Sequence, residues 1–183
     1  MFNDAPTALK APADWTKVGK EKSYGASSVW KVQDAKDAGR AFGATLNDVV
    51  HAAVSAAMRR YLQHRDCKVI KSKKGDRLTV RALAVVNTRM GTPGDGILKN
   101  FMQCKAANEF SYVMPTLPLG DMTVEERVLA CSKDMTYLKS SPEAVLMKGV
   151  NNAIRDCFGG AFTVWLNSKM VLNQFTCFFS NLP

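Results

Sequence analysis

Gly43 to Leu62, GATLNDVVHAAVSAAMRRYL, carries the strongest local signal in the chain. Thr45 offers a hydroxyl suited to an N-cap. Asp48, three places on, can accept the cap's own backbone N–H, which is the capping-box spacing. Leu46, Val50, Ala53, Ala57 and Tyr61 recur at helical spacing and predict the apolar face. Arg59, Arg60 and Gln63 gather at the far end, where positive charge suits the helix dipole. The stretch therefore predicts an amphipathic helix whose first turn holds a polar pair, Asn47 and Asp48. On residue chemistry alone, that pair need do no more than start the helix.

Outward from this helix the pattern is mixed. Residues 1–23 are rich in Pro and Lys and predict an extended arm or linker; residues 24–183 predict one domain. Ser27 to Val32 predicts a strand, and Asp34 to Phe42 a short helix ended by Gly43. Thr79 to Asn87 alternates as a buried strand and runs into Gly91-Thr92-Pro93-Gly94-Asp95-Gly96, whose glycine spacing fits a turn and neither a phosphate loop nor a dinucleotide fingerprint. Asn108 to Leu117 predicts a second long strand. Thr123 with Glu126 makes a second capping box, followed by an apolar stripe of Val124, Val128, Cys131, Met135 and Leu138. Ser141-Pro142-Glu143 opens another helix, with Pro142 at its first helical position, running to about Phe158; Ala161 to Met170 predicts a third, and Leu172 to Phe179 a closing strand. The order suits an α/β fold in which helices cover a mixed sheet.

Composition narrows the function classes. The chain has 183 residues, 46% of them apolar, enough for a packed core. No apolar run approaches the roughly 20 residues of a membrane span, and MFNDAPTALK has neither the charged start nor the apolar centre of a secretory signal. Cysteines at 67, 104, 131, 157 and 177 are widely spaced and odd in number, which disfavours a zinc site or a disulfide framework. They predict small core residues in an intracellular, reducing compartment, with no metal site and no permanently bound cofactor. The net charge is +9. Its densest run, Lys68, Lys71, Lys73, Lys74, Arg77 and Arg81, predicts a solvated loop tip or a surface for anionic lipid, protein or coenzyme phosphates. It has no interleaved aromatics for stacking on bases, so nucleic acid is not expected.

The helix quoted above resembles the Thr-x-Asn-Asp-Val-Val helix of the wax ester synthase/diacylglycerol acyltransferase family. Asp4-Ala5-Pro6-Thr7-Ala8-Leu9-Lys10 resembles the linker joining that family's two halves, and Ala84-Val85-Val86-Asn87-Thr88-Arg89 its strand ending in Pro-Val-Ser/Asn-x-Arg. Ala107-Asn108-Glu109-Phe110 with Leu117-Pro118-Leu119 is similar to the Gly-Asn-x-Phe strand and its closing Leu-Pro. Ser180-Asn181-Leu182-Pro183 is similar to the Ser-Asn-Val-Pro-Gly-Pro that ends the last core strand. The resemblance covers the C-terminal half of the family.

It implies one lobe of the fold shared with chloramphenicol acetyltransferase and peptide-synthetase condensation domains. In that fold two lobes face each other across a channel where acyl-CoA, here a substrate, meets an acceptor alcohol. A histidine takes the hydroxyl proton and nearby donors hold the oxyanion. That histidine belongs to a His-His-x-x-x-Asp-Gly motif of the N-terminal lobe, and it is absent here: His51 and His64 are the only histidines, and neither has the required neighbours. His51 is expected on the helix surface or in ordinary packing, and His64 at an exposed helix end. The resemblance thus implies channel support by Asn47 and Asp48, with Asn87, Arg89, Asn108, Ser180 and Asn181 as second-line candidates, and no catalytic residue. Two expectations follow. One is the C-terminal lobe of an acyl-CoA-dependent O-acyltransferase making wax esters or triacylglycerol, not competent without its N-terminal lobe. The other is a non-catalytic, partner-binding subunit of a larger complex that covers an exposed apolar face.

Overall fold

A computed structural model describes residues 4–10, 19, 21–87, 110–170 and 174–180. The elements are α1 (Val32–Ala41), α2 (Leu46–His64), a 3-10 turn (Gly75–Arg77), β1 (Thr79–Asn87), β2 (Phe110–Val113), β3 (Thr116–Pro118), α3 (Val124–Ser140), α4 (Glu143–Phe158), α5 (Gly160–Met170) and β4 (Cys177–Phe179). Among the described residues the fold is mixed α/β, with five helices and a small mixed sheet.

β1 is the centre of that sheet. β2 and β3 both run antiparallel along one of its edges, and β4 lies parallel on the other. Ala84 faces Val113 and Thr79 faces Pro118, five residues apart on each side, so β2 and β3 keep a single register. They are one strand with a local interruption at Pro115. The Ala82 N–H donates to the Pro115 carbonyl at 3.0 Å, but a proline has no N–H to return. The long strand expected from Asn108 to Leu117 is therefore present over its described part.

Side-chain alternation sets the two faces. Val80, Ala82, Ala84, Val113 and Leu117 point to the covered face and are buried. There, Leu62 of α2, Leu78 and Leu119 complete one cluster, with Cys177 and Phe179 of β4 packed against it. Met135 and Leu138 of α3 cover Ala84 and Val113, while Val128 and Cys131 meet Ala52 of α2. On the other face α4 approaches β2, where the Asn151 amide donates to the Tyr112 hydroxyl at 3.1 Å.

Both capping boxes form, at Thr45/Asp48 and at Thr123/Glu126. Gly43 ends α1 as expected. Its φ of +63° lets its N–H reach the Arg40 carbonyl and the Ala44 N–H reach that of Gly39, the paired bonds of a Schellman motif.

Several expectations require correction. Residues 27–31 form no strand: Val29 is fully exposed and pairs with no neighbouring strand, and α1 begins at Val32. Alternation alone cannot hold a strand whose backbone groups find no partner. The buried face of α2 is not Leu46, Val50, Ala53, Ala57 and Tyr61. It is Asp48, His51, Ala52, Ser55 and Leu62: Ser55 is held by the Pro118 carbonyl and Arg127, Asp48 by its own cap at Thr45, and His51 by packing on Phe179. Val124 is exposed and leaves the α3 stripe. Pro142 sits at the N-cap of α4, not inside its first turn. Cys157 is exposed, unlike Cys131. The Gly91–Gly96 turn and Cys104 lie outside the described residues.

Candidate functional site

The first turn of α2 begins the site. The Thr45 N–H donates to one Asp48 carboxylate oxygen at 2.7 Å, and the Asp48 N–H donates back to the Thr45 hydroxyl at 3.4 Å. Asp48 is only 2% exposed, and its second carboxylate oxygen is buried without a hydrogen-bond partner among the described residues. Capping thus uses half of the carboxylate. The other half is directed into the protein.

Asn47 is half-buried beside it. Asn87 ends β1, with its backbone paired to Phe110 of β2. Ser180 follows β4 and is exposed. Arg89, Asn108 and Asn181 lie outside the described residues.

One helical turn after Asp48, on the same face, comes His51. It is 3% exposed; His64, by contrast, is exposed at the helix end. The His51 ring lies 4.3 Å from that of Phe179 in β4, tilted by 43°, and neither ring nitrogen has a hydrogen-bond partner among the described residues. Burial lowers the imidazole's pKa below its ordinary 6.5. Asp48 and Asp134 oppose that shift, and Lys139 adds to it. The neutral form therefore dominates at neutral pH. A neutral imidazole has the lone pair a base needs, but one this buried is closed to a substrate hydroxyl.

α3 supplies the opposite wall. Asp134 accepts the Thr116 N–H at 2.7 Å, tying the helix to β3. Burial raises its pKa above the ordinary 3.8, against the lowering effects of the Thr116 hydrogen bonds and of His51. One turn earlier, burial first and Asp134 second push the Cys131 thiol up to about 12. Cys131 is protonated at physiological pH and is a packing residue, not a nucleophile.

Below it, Arg127 is buried and held by neutral oxygens: the Ser55 hydroxyl at 3.0 Å, the Gly120 carbonyl at 3.1 Å and the Pro118 carbonyl. Ser55 also donates to Pro118. Arg59 joins from α2, donating to the Leu119 carbonyl at 2.6 Å and pairing with Asp121 at 3.3 Å. These bonds lock the corner between β3 and α3 onto α2.

The arrangement gathers Asp48, His51, Cys131 and Asp134 between two helices and the sheet. Sequence reasoning found Asp48 but placed His51 among ordinary residues and passed over Asp134, Ser55 and Arg127. A signal existed: Asp48 and His51 stand three apart on α2, and Cys131 and Asp134 three apart on α3. Among the described residues no group of three His, Cys, Asp or Glu is placed to hold a metal ion. No described helix is long and apolar enough to cross a membrane.

Comparison with known families matches residues 106–183 to the WS/DGAT C-terminal domain. Comparisons with curated proteins and with solved structures give no match. The matched stretch includes β2, β3, α3, α4, α5 and β4, and so contains Asp134, Cys131, Arg127 and Phe179, while α2 with Asp48 precedes it. Over residues 106–183, a stretch that holds most of the sheet's partners and one wall of the Asp48 cluster, the chain is thus similar to the WS/DGAT C-terminal domain.

Proposed function

We propose that this chain is the C-terminal lobe of an acyl-CoA-dependent O-acyltransferase that forms wax esters or triacylglycerol. The match of residues 106–183 to the WS/DGAT C-terminal domain carries the reading. In this reading a partner lobe bearing the His-His-x-x-x-Asp-Gly motif supplies the base, and acyl-CoA enters as substrate. The present lobe contributes shape and fixed polarity: Asn47 and Asp48 support the channel wall at the start of α2, with Asn87, Arg89, Asn108, Ser180 and Asn181 as second-line candidates. The buried oxygen of Asp48 that has no partner among the described residues supports this role, because such an atom stabilises a donor placed against it by more than a solvated carboxylate would.

The test is ester formation from labelled acyl-CoA and a long-chain alcohol. The chain alone should form no ester, and the chain with a motif-bearing lobe should. Turnover by the chain alone would remove the division of labour proposed here. Failure of every motif-bearing lobe to form a complex would remove the acyltransferase reading itself.

A second reading, a non-catalytic subunit within a larger assembly, is favoured by one observation. Phe158, Phe162 and Trp165 form a row on α4 and α5, with ring centroids 5.1 and 5.6 Å apart, and all three are exposed, as are Leu146, Val150 and Val164. An apolar row of this kind on two adjoining helices suits a protein partner. Under this reading the chain co-purifies with a defined complex whose formation does not depend on Asp48.

A further inference from the structure

Apart from the Asp48 cluster, the start of β1 forms an open pocket of about 420 Å³, lined by Asp4, Lys74, Arg77, Thr79, Arg81 and Thr116 among others. Three of these residues are cationic and one is acidic. The acid is already engaged: Asp4 accepts the Arg81 N–H at 2.9 Å, the Arg81 Nε–H at 3.1 Å and the Thr176 hydroxyl at 2.7 Å. Lys74 and Arg77 are exposed, and among the described residues neither takes part in an ion pair. Asp4 offsets the charge of Arg81, so the positive excess of the lining rests on Lys74 and Arg77, with two threonines as further polar groups.

The cations stand on built backbone. Lys74 and Arg77 flank the 3-10 turn at Gly75–Arg77, where Gly75 is buried and its N–H donates to the Ser72 carbonyl at 2.7 Å. A Cβ on Gly75 would lie 2.1 Å from the Ile70 carbonyl oxygen, so the turn is packed tightly against the preceding loop. Arg81 is fixed by the ladder of β1 and by Asp4. Part of the basic run, solvent-exposed as it is, thus lines an ordered concave surface. A concave surface with two arginines and a lysine offers forked and point-charge donors together, which is the donor set that recognises a phosphoryl group.

We propose that this pocket binds a phosphate-bearing anion through Lys74, Arg77 and Arg81. The site goes beyond the acyl-transfer reading and stands whether or not that reading holds. Two sources share the chemistry: a soluble organic phosphate and the phosphate of a lipid headgroup.

Calorimetric titration of the full chain with pyrophosphate and with adenosine 3′,5′-bisphosphate, beside sedimentation with phosphatidylglycerol vesicles, tests it. Saturable one-to-one binding is expected in at least one arm, weakening as salt rises. The double variant Lys74→Ala/Arg77→Ala should weaken that binding by about tenfold for each cation removed. Lys36→Ala/Lys133→Ala, which removes the same charge from exposed positions on α1 and α3, should leave it within about twofold. Far-UV circular dichroism of both variants checks that the fold is kept. Binding to the soluble phosphates alone identifies a soluble ligand, and to vesicles alone a headgroup. Equal losses in the two double variants, or no saturable binding in any arm, would overturn the proposal.

Discussion

The imidazole of His51 on α2 lies 4.3 Å from the phenyl ring of Phe179 on β4, and this contact joins the first long helix to the last strand. The ring is neutral at its buried position, and both nitrogens lack partners among the described residues. His51 is thus an aromatic packing piece that keeps a titratable group inside the core.

His51→Leu should therefore raise stability by about 1 kcal/mol at neutral pH, because it removes buried nitrogens that make no hydrogen bond. It should also change the pH profile. A base whose folded pKa is depressed binds fewer protons folded than unfolded, so its stability contribution is complete above the ordinary value of 6.5 and is lost as pH falls from there towards the folded value. Asp134 works in the opposite sense: its raised folded pKa makes it a gain in stability as pH falls through that value towards the ordinary 3.8. Urea unfolding just above and below pH 6.5 should show a loss in the parent protein that the leucine variant lacks. Parallel profiles would refute the assignment.

Arg127 should be among the most sensitive positions. Alanine there leaves the Gly120 carbonyl and the Ser55 hydroxyl without their guanidinium donor and opens a void between α2 and α3. A loss of about 3 kcal/mol is expected. Methionine, which refills the volume, should cost less. An alanine variant within about 0.5 kcal/mol of the parent in chemical unfolding would show that the corner is held by other contacts.

Thr45→Ala and Asp48→Ala separate capping from site support. Each breaks the same box and should lower stability by about 1 kcal/mol. Only the aspartate substitution also removes the inward oxygen. In the complex with a motif-bearing lobe, ester formation should fall by about tenfold or more for Asp48→Ala and by little for Thr45→Ala. Equal activity losses would reduce Asp48 to a cap.

Gly75→Ala places a methyl group against the Ile70 carbonyl and should cost about 1–3 kcal/mol, since backbone must move to admit it. Thermal unfolding measures the cost. The same variant should weaken phosphate binding in the pocket, because Lys74 and Arg77 ride on that turn.

Local signals were the legible ones. Thr45/Asp48 and Thr123/Glu126 are read from spacing because a capping box lies within four residues and depends on little else. β1 was visible through its alternation, and the strand beyond it through Pro115, since its register survives the missing N–H. The buried face of α2 was not legible. Apolar periodicity selects Leu46, Val50 and Ala53, but burial goes to Asp48, His51 and Ser55, and what packs on the last two, Phe179 on His51 and Pro118 on Ser55, is distant in the chain. Ser27 to Val32 failed for the reverse reason: its pattern was suitable, and no second strand came to meet it.

Asp4 accepts hydrogen bonds from residues 77 and 172 positions further along the chain. The one edge of β1 that β2 and β3 leave open is closed by β4, the last described element. The Thr176–Asp4 bond and the pairing of β4 both need residues 176–179 in place, so this edge of the sheet closes only when that distant segment has docked. Until then the central strand carries a bare edge, the part of the molecule most prone to pair with another copy. Contacts of such separation also slow folding. Asp4 and Thr176 are thus the clasp on a late-closing fold, and refolding rates, more than equilibrium stability, are where their loss should be felt.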